Sequence, residues 1–474
     1  MKESSRSRLL RSWGLVTAFA GLGSSALAAT IWVPDDHPTI QDAIQAAAAG
    51  DEIVVRAGTY FENLDYLSKN LVVRSESGPA VTIIDGSQPQ NPDQASTVTM
   101  NGNGMVLAGF SITGGGGSKV FGATGPLTGG GIVMLGTGAI RDNWIYENHV
   151  VGDYVYAGGG VYVHDPILFQ ISGNLIYRNS VVQTSGTFSG FGGGIAVRTA
   201  DGVVFDNIIW DNTVGTPGGD SAKGGGVGTQ AICDAHLRSN VIACNHASQG
   251  GGIGGTFREI SGNSIVRNDT SGIVGGTLAG AAFFNNDISE NTGVGMSCPP
   301  GGVGSCNNFW GNTVDDPDCY GVGTDNNTSN DPQYSGTCED LCVAPTSPLL
   351  PENDELGCGQ IGALVACASS SVEDEGLAGL QSSLRVVVSP NPARGRADLR
   401  FRSLTGRDDT ATIEVYDLQG RLVRSLGKHA IDGSDRSVSW DGMDEAGRAV
   451  ASGSYVVLLR TEDAETTARM LILR

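Results

Sequence analysis

Positive charge is scarce in this chain. Its 29 lysines and arginines stand against 50 aspartates and glutamates, a formal net charge of −21 over 474 residues. Phosphate binding needs a basic face, so nucleic acid is excluded as a partner. Zinc-type cysteine spacing is also lacking, because Cys338-x3-Cys342 has no matching second pair. Only the N-terminus carries a long apolar run, Trp13 to Leu22, preceded by Lys2, Arg6, Arg8 and Arg11 and followed by Ala26-Leu27-Ala28. That order reads as a signal peptide over residues 1–28. Past it no stretch is long and apolar enough to span a bilayer, so no transmembrane segment is expected in the mature chain. The expectation is a secreted or bacterial-type cell-surface protein. Seven of its nine cysteines lie between Cys298 and Cys367, and in an exported chain they read as disulfides, with one thiol left over.

What the chain has in abundance is asparagine at a fixed spacing. Pairs five residues apart recur at Asn143/Asn148, Asn174/Asn179, Asn207/Asn212, Asn240/Asn245, Asn263/Asn268, Asn286/Asn291 and Asn307/Asn312. The short intervals between pairs suit one coil of a solenoid, and the longer ones a coil carrying a surface loop. Apolar columns travel with the pairs. Ile140, Ile171, Val204, Leu237, Ile260 and Phe283 precede the first asparagine by three. Ile145, Ile176, Ile209, Ile242, Ile265, Ile288 and Phe309 follow it by two. A third column follows glycine: Ile132, Val161, Ile195, Val227, Ile253, Ile273 and Val294. Such spacing is that of strands and not of helices. Coils stacked about 4.8 Å apart would turn each column into a buried ladder, with asparagine amides bonded from coil to coil. Glycine runs at 129–131, 158–160, 192–194, 224–226 and 250–252 would permit sharp bends and close backbone approach.

This pattern resembles the right-handed parallel β-helix, the pectin-lyase-like fold, over residues 30–368. The implied fold class is all-β, a solenoid followed by a small sandwich. Thr39 reads as the N-cap of a short helix from Ile40 to about Ala48, with Asp42 as a capping-box-like partner; the helix would cover the open end of the solenoid. Residues 369–384, rich in Ser, Gly and acids, read as a linker. Seven alternating runs follow in residues 385–474, from Val386–Val388 to Met470–Leu473. With Ser389-Pro390-Asn391-Pro392-Ala393, the Tyr416–Arg424 hairpin and Trp440-Asp441-Gly442-Met443-Asp444, they resemble the immunoglobulin-like tail of flagellar-hook-capping and type IX secretion sorting domains. The resemblance implies secretion or cell-surface machinery as a partner; a generic accessory sandwich is the alternative.

Chemistry is sought on the outward columns. Tyr146, Tyr177 and Trp210 form an aromatic stripe, followed directly by the alternating charges Glu147, Arg178 and Asp211. The same coils carry long loops at 149–157, 180–191 and 213–223. Either the loops pack over the rings, or rings and loops form a groove in which a polysaccharide stacks. Glu147 and Asp211 lie two coils apart, about 10 Å, with a cation between them. That is a poor match to the 5–9.5 Å or so of paired glycosidase carboxyls. Seven cations against seventeen acids between residues 120 and 330 offer little for uronate elimination. The polygalacturonase and pectin methylesterase signatures are absent, so the likeness of Thr39–Asn63 to methylesterase openings transmits fold and not activity. A polysaccharide lyase or glycoside hydrolase acting on an acidic glycan stays as an alternative, as does a structural or adhesive rod. No cofactor signature occurs; calcium is the metal the acids would suit, through Asp153, Asp165 or Asp220 or the Asp315–Asp331 stretch. His149, His164 and His246 are read as falling in different columns.

Overall fold

A computed structural model describes residues 28–164, 168–184, 190–215, 222–297, 304–314, 325–338, 341–367, 384–389, 396–403, 409–417, 421–432, 434, 436–450, 453–461 and 465–472. The expected leader and linker, Asp165, Asp220, the acids Asp315, Asp316 and Asp318, and residues 390–393 lie outside them. The chain divides into two compact units, Met1–Ser369 and Ser370–Arg474.

The first unit winds as a right-handed parallel β-helix. Its strands stack in parallel, one coil on the next, in sheets of seventeen and ten strands. Ile145, Ile176 and Ile209 sit opposite one another in adjacent layers, and the register continues through Ile242, Ile265 and Ile288 to Phe309. All seven are fully buried. Each contributes about 1.5–3 kcal/mol by leaving water, which makes the ladder a principal source of stability. The column from Ile140 to Phe283 pairs in the same manner. The third column departs from expectation at its end. Ile273 faces Met296, while Val294 pairs with Ser271. Two glycines stand here, Gly293 and Gly295, and it is Met296, after the second, that takes the core position.

Two asparagine ladders run through the interior. Asn207 is representative: its Oδ1 accepts from the Asn174 backbone and side-chain amides at 3.0 and 2.9 Å. Its own backbone N–H and Nδ2 donate to Asn240 Oδ1 at 3.1 and 2.9 Å. Nδ2 also donates to the Ile171 and Phe205 carbonyls. The ladder of first asparagines runs one coil further than the pairs do, to Asn327. The residue before each asparagine turns the corner with positive φ, from Asp142 (59°) and Glu147 (50°) to Glu290 (53°) and Cys306 (60°). Glycine runs serve the opposite corner. Gly192 has φ +68°, and a Cβ on Gly194 would lie 2.7 Å from the Gly226 carbonyl oxygen of the next coil.

The helix Ile40–Ala46 starts at Thr39, whose hydroxyl accepts from the Asp42 amide at 3.0 Å. The remaining first-turn donors are not taken by Asp42. Glu62 accepts from Ile40 and Gln41 at 3.0 and 2.8 Å, because the first coil brings it beneath the helix N-terminus. Ile40, Ala43 and Ile44 close the core.

Residues 334–366 leave the repeat and return along the outer face of the ten-stranded sheet. Leu341, Val343, Leu350 and Leu364 pack on Ala243 and Val266. Disulfides Cys244–Cys338 and Cys306–Cys358 tie this strap to the coils, and Cys342–Cys367 closes it on itself. Cys233 is a free, buried thiol.

The second unit comprises seven strands, from Leu384–Ser389 to Glu465–Ile472, in antiparallel sheets of three and four. Trp440, Phe401, Ile413 and Val457 are buried between them.

Candidate functional site

The aromatic stripe stands at the ends of three paired strands, Trp144–Tyr146, Leu175–Tyr177 and Ile208–Trp210. Register places Tyr177 between Tyr146 and Trp210. The rings stack face to face, with centroids 5.0 Å apart at both steps and interplanar angles of 15° and 3°. Their faces are therefore turned largely toward one another. Trp210 is only 6% exposed, and the tyrosines are half-buried.

Among the described residues, the loop segments build apolar clusters of their own. Val150, Val155, Val181, Val214 and Ala222 form a separate apolar cluster, beside a short parallel sheet of His149–Gly152, Ser180–Gln183 and Thr213–Gly215. Tyr156, Ala157 and Phe191 pack instead on Val133, Tyr162 and Ala196 of the other sheet. None of the three rings belongs to either cluster.

Sequence reading missed the neighbouring column. Strand alternation points residues 144, 175 and 208 to the same outer face as the rings. Trp144 and Ile208 are 37% and 40% exposed, with Leu175 half-buried between them. The signal was available two residues before each ring. Farther along the face the equivalent columns are Val241, Ser264 and Asp287, and Ala243, Val266 and Ser289. Small and polar side chains there lie under the strap, which explains why the aromatics stop at the Asn240 coil.

The charged column lies at the positive-φ corner beyond the rings, with φ of 50° at Glu147 and 53° at Arg178 and Asp211. Arg178 Nε reaches Asp211 Oδ2 at 3.3 Å, and its guanidinium lies 5.0 Å from the Trp210 centroid. His246 Nε2 approaches the other Asp211 oxygen at 3.4 Å. His149 and His246 do share a column, through Ser180 and Thr213, because each directly follows the second asparagine of its pair. His164 lies on the other sheet. Among the described residues no group of three or more His, Cys, Asp or Glu side chains could hold a metal ion. Asp153, from the calcium reading, accepts a hydrogen bond from the Thr184 hydroxyl.

One buried carboxyl was not anticipated. Asp287 is fully enclosed under the strap, and burial raises it to about 6 against bonds from Ser289, Tyr334 and Asn308. Tyr334 donates its hydroxyl to Asp287 Oδ2, and Asn308 Nδ2 donates to Oδ1 at 3.1 Å. Its signal is an aspartate in a column that elsewhere holds Val241 and Ser264.

Residues 389–465 match the family described as the FlgD Ig-like domain. No curated protein sequence matches the chain. Among solved structures, PorU of Porphyromonas gingivalis is similar at 24% identity over 20% of this chain, with TM-score 0.18. PorZ of the same bacterium, described as a surface component of the type IX secretion system, is similar over 19%, with TM-score 0.15. The chain spans about a tenth of the length of each, 10% and 11%. Carrot pectin methylesterase is similar at 12% identity over 69% of this chain and 92% of its own, with TM-score 0.29. No helix among the described residues is long and apolar enough to cross a membrane.

Proposed function

We propose that this is an exported, noncatalytic, carbohydrate-associated surface protein whose solenoid presents a binding face and whose Ig-like unit serves export or attachment. The observation that carries the binding reading is the uncovered apolar strip of Trp144, Leu175 and Ile208 beside the ring stack. A rigid, flat, parallel sheet holds it in place, and Glu147, Arg178 and Asp211 edge it with hydrogen-bonding charge. Large amphipathic rings bordered by polar groups suit a sugar chain, which has apolar faces and hydroxyl edges. In this reading the Tyr146–Tyr177–Trp210 stack is the floor, and Trp144 supplies the open ring. Arg178 is engaged with Asp211 and Trp210, which favours binding over general acid–base work by the Glu147/Asp211 pair.

The test pairs two tryptophans. Trp144→Ala should weaken retention on at least one glycan of a polysaccharide panel at least tenfold while leaving the melting temperature unchanged. Trp210→Ala should lower the melting temperature, since it removes a buried ring. Binding that survives Trp144→Ala on every retained glycan would remove the face from consideration. A second reading, a purely structural rod, is favoured by the cofacial stacking itself, which satisfies the rings internally. It predicts no retention of the parent protein on any glycan.

A further inference from the structure

The N-terminal end of the solenoid holds a cleft of about 590 Å³, formed where the capping helix, the Phe61–Asn63 loop and the Gln88–Gln94 segment converge. That volume lies in the range of small-ligand sites. Its framework is fixed. Gln41 exchanges two hydrogen bonds with the Asp65 backbone, at 3.0 and 2.8 Å. Asn63 Nδ2 donates to the Gly86 and Ser96 carbonyls, both at 3.1 Å. Glu62 is committed to the first two helical amides. Between these anchored neighbours Phe61 stands 58% exposed, an unusual place for a phenyl ring on a coil whose interior is well filled.

The lining is rich in amides. Gln45, Gln88 and Gln90 face the cleft, and their side chains have no hydrogen-bond partner among the described residues. An amide places a donor and an acceptor on neighbouring atoms without net charge. No lysine or arginine lines the cleft, so it offers nothing to a phosphate or a uronate. Asp42 is its one carboxylate not bound to the helix N-terminus, too few for a cation. What fits is a neutral ligand with vicinal hydroxyls and one apolar face.

We propose that this cleft binds neutral hexose units of a polysaccharide, with a pyranose ring laid on Phe61 and its hydroxyls bonded to Gln45, Gln88 and Gln90. The site lies at the end of the rod, separate from the Trp144 face, and its existence does not depend on that face.

The experiment titrates cellohexaose, mannohexaose, maltohexaose and hexagalacturonate into the intact mature chain by calorimetry. At least one neutral hexasaccharide should bind. Phe61→Ala and the double variant Gln88→Ala/Gln90→Ala should each weaken it at least tenfold with the melting temperature unchanged, while Trp144→Ala leaves it intact. Affinity insensitive to both variants would overturn the proposal. So would preference for hexagalacturonate, or no neutral binding at millimolar ligand. Loss through Trp144→Ala alone would assign the binding to the lateral face and overturn this cleft.

Discussion

Asn207 and Asp287 are both buried polar side chains in register columns, and they act on stability with opposite sign. The asparagine fills its hydrogen-bonding capacity without carrying charge, so its burial costs little and its bonds hold coil to coil. The aspartate must be stripped of water to ionise. Its folded value of about 6 exceeds the ordinary 3.8, so the native state binds the proton more tightly than the unfolded chain does. Ionisation therefore costs stability: nothing below pH 3.8, progressively more up to pH 6, and the full amount above it. At pH 7 the cost is on the order of 3 kcal/mol. Asp287→Asn keeps an acceptor for Ser289 and Asn308 and removes the charge. The variant should be more stable at pH 7 by about 1–3 kcal/mol and should lose the decline between pH 4 and 6. Urea midpoints measured across that range decide it, and an unchanged pH slope would show that Asp287 is not the group responsible. Neither the strap over Asp287 nor the proton it holds could be read in the sequence, because residues 334–366 carry no trace of the repeat.

Among the elements, the strap has the least regular structure and the most covalent anchoring. Its strands are two residues long, and hydrogen bonds such as Asn285 Nδ2 to the Cys358 and Gln360 carbonyls fasten it to the coils. The Cys306–Cys358 link spans 52 residues. Replacing both cysteines by serine should lower unfolding stability by about 2–4 kcal/mol. Proteolysis should then cut within the strap before the coils. Equal protease resistance in the parent and the variant would mean the strap is held by packing alone. The coils themselves were legible because identical side chains recur at one column: Ile145 predicts Ile176, and Asn143 predicts Asn174. Legibility failed where an element depends on partners remote in sequence. Glu62, from the first coil, accepts from the helix amides of Ile40 and Gln41, and the rings of Tyr146, Tyr177 and Trp210 close on one another. Trp144 is legible from strand alternation, which puts it on the same outer face as Tyr146 two residues on.

For the molecule as a whole, the two units carry separate cores, one of ladders and one of a seven-stranded sandwich. A fragment of residues 29–369 should therefore melt within a few degrees of the solenoid transition in the full chain, which should itself show two transitions. A single cooperative transition in the full chain, with a large drop in the fragment, would reveal coupling between the units. The acidity is concentrated in the first unit, which carries −19 of the −21 and so supplies most of the self-repulsion between molecules.

Coils of 33 and of 23 residues hand on the same amide bonds, as Asn207 to Asn240 and Asn240 to Asn263 show. Seven of the ten extra residues lie between the second asparagine and the next glycine run, and the other three between that run and the next asparagine, where the register shifts after Gly228. Evolution, or an engineer, can thus rewrite those margins coil by coil while the rest of the rod keeps its address, much as text can change in the gutter of a page whose lines stay ruled.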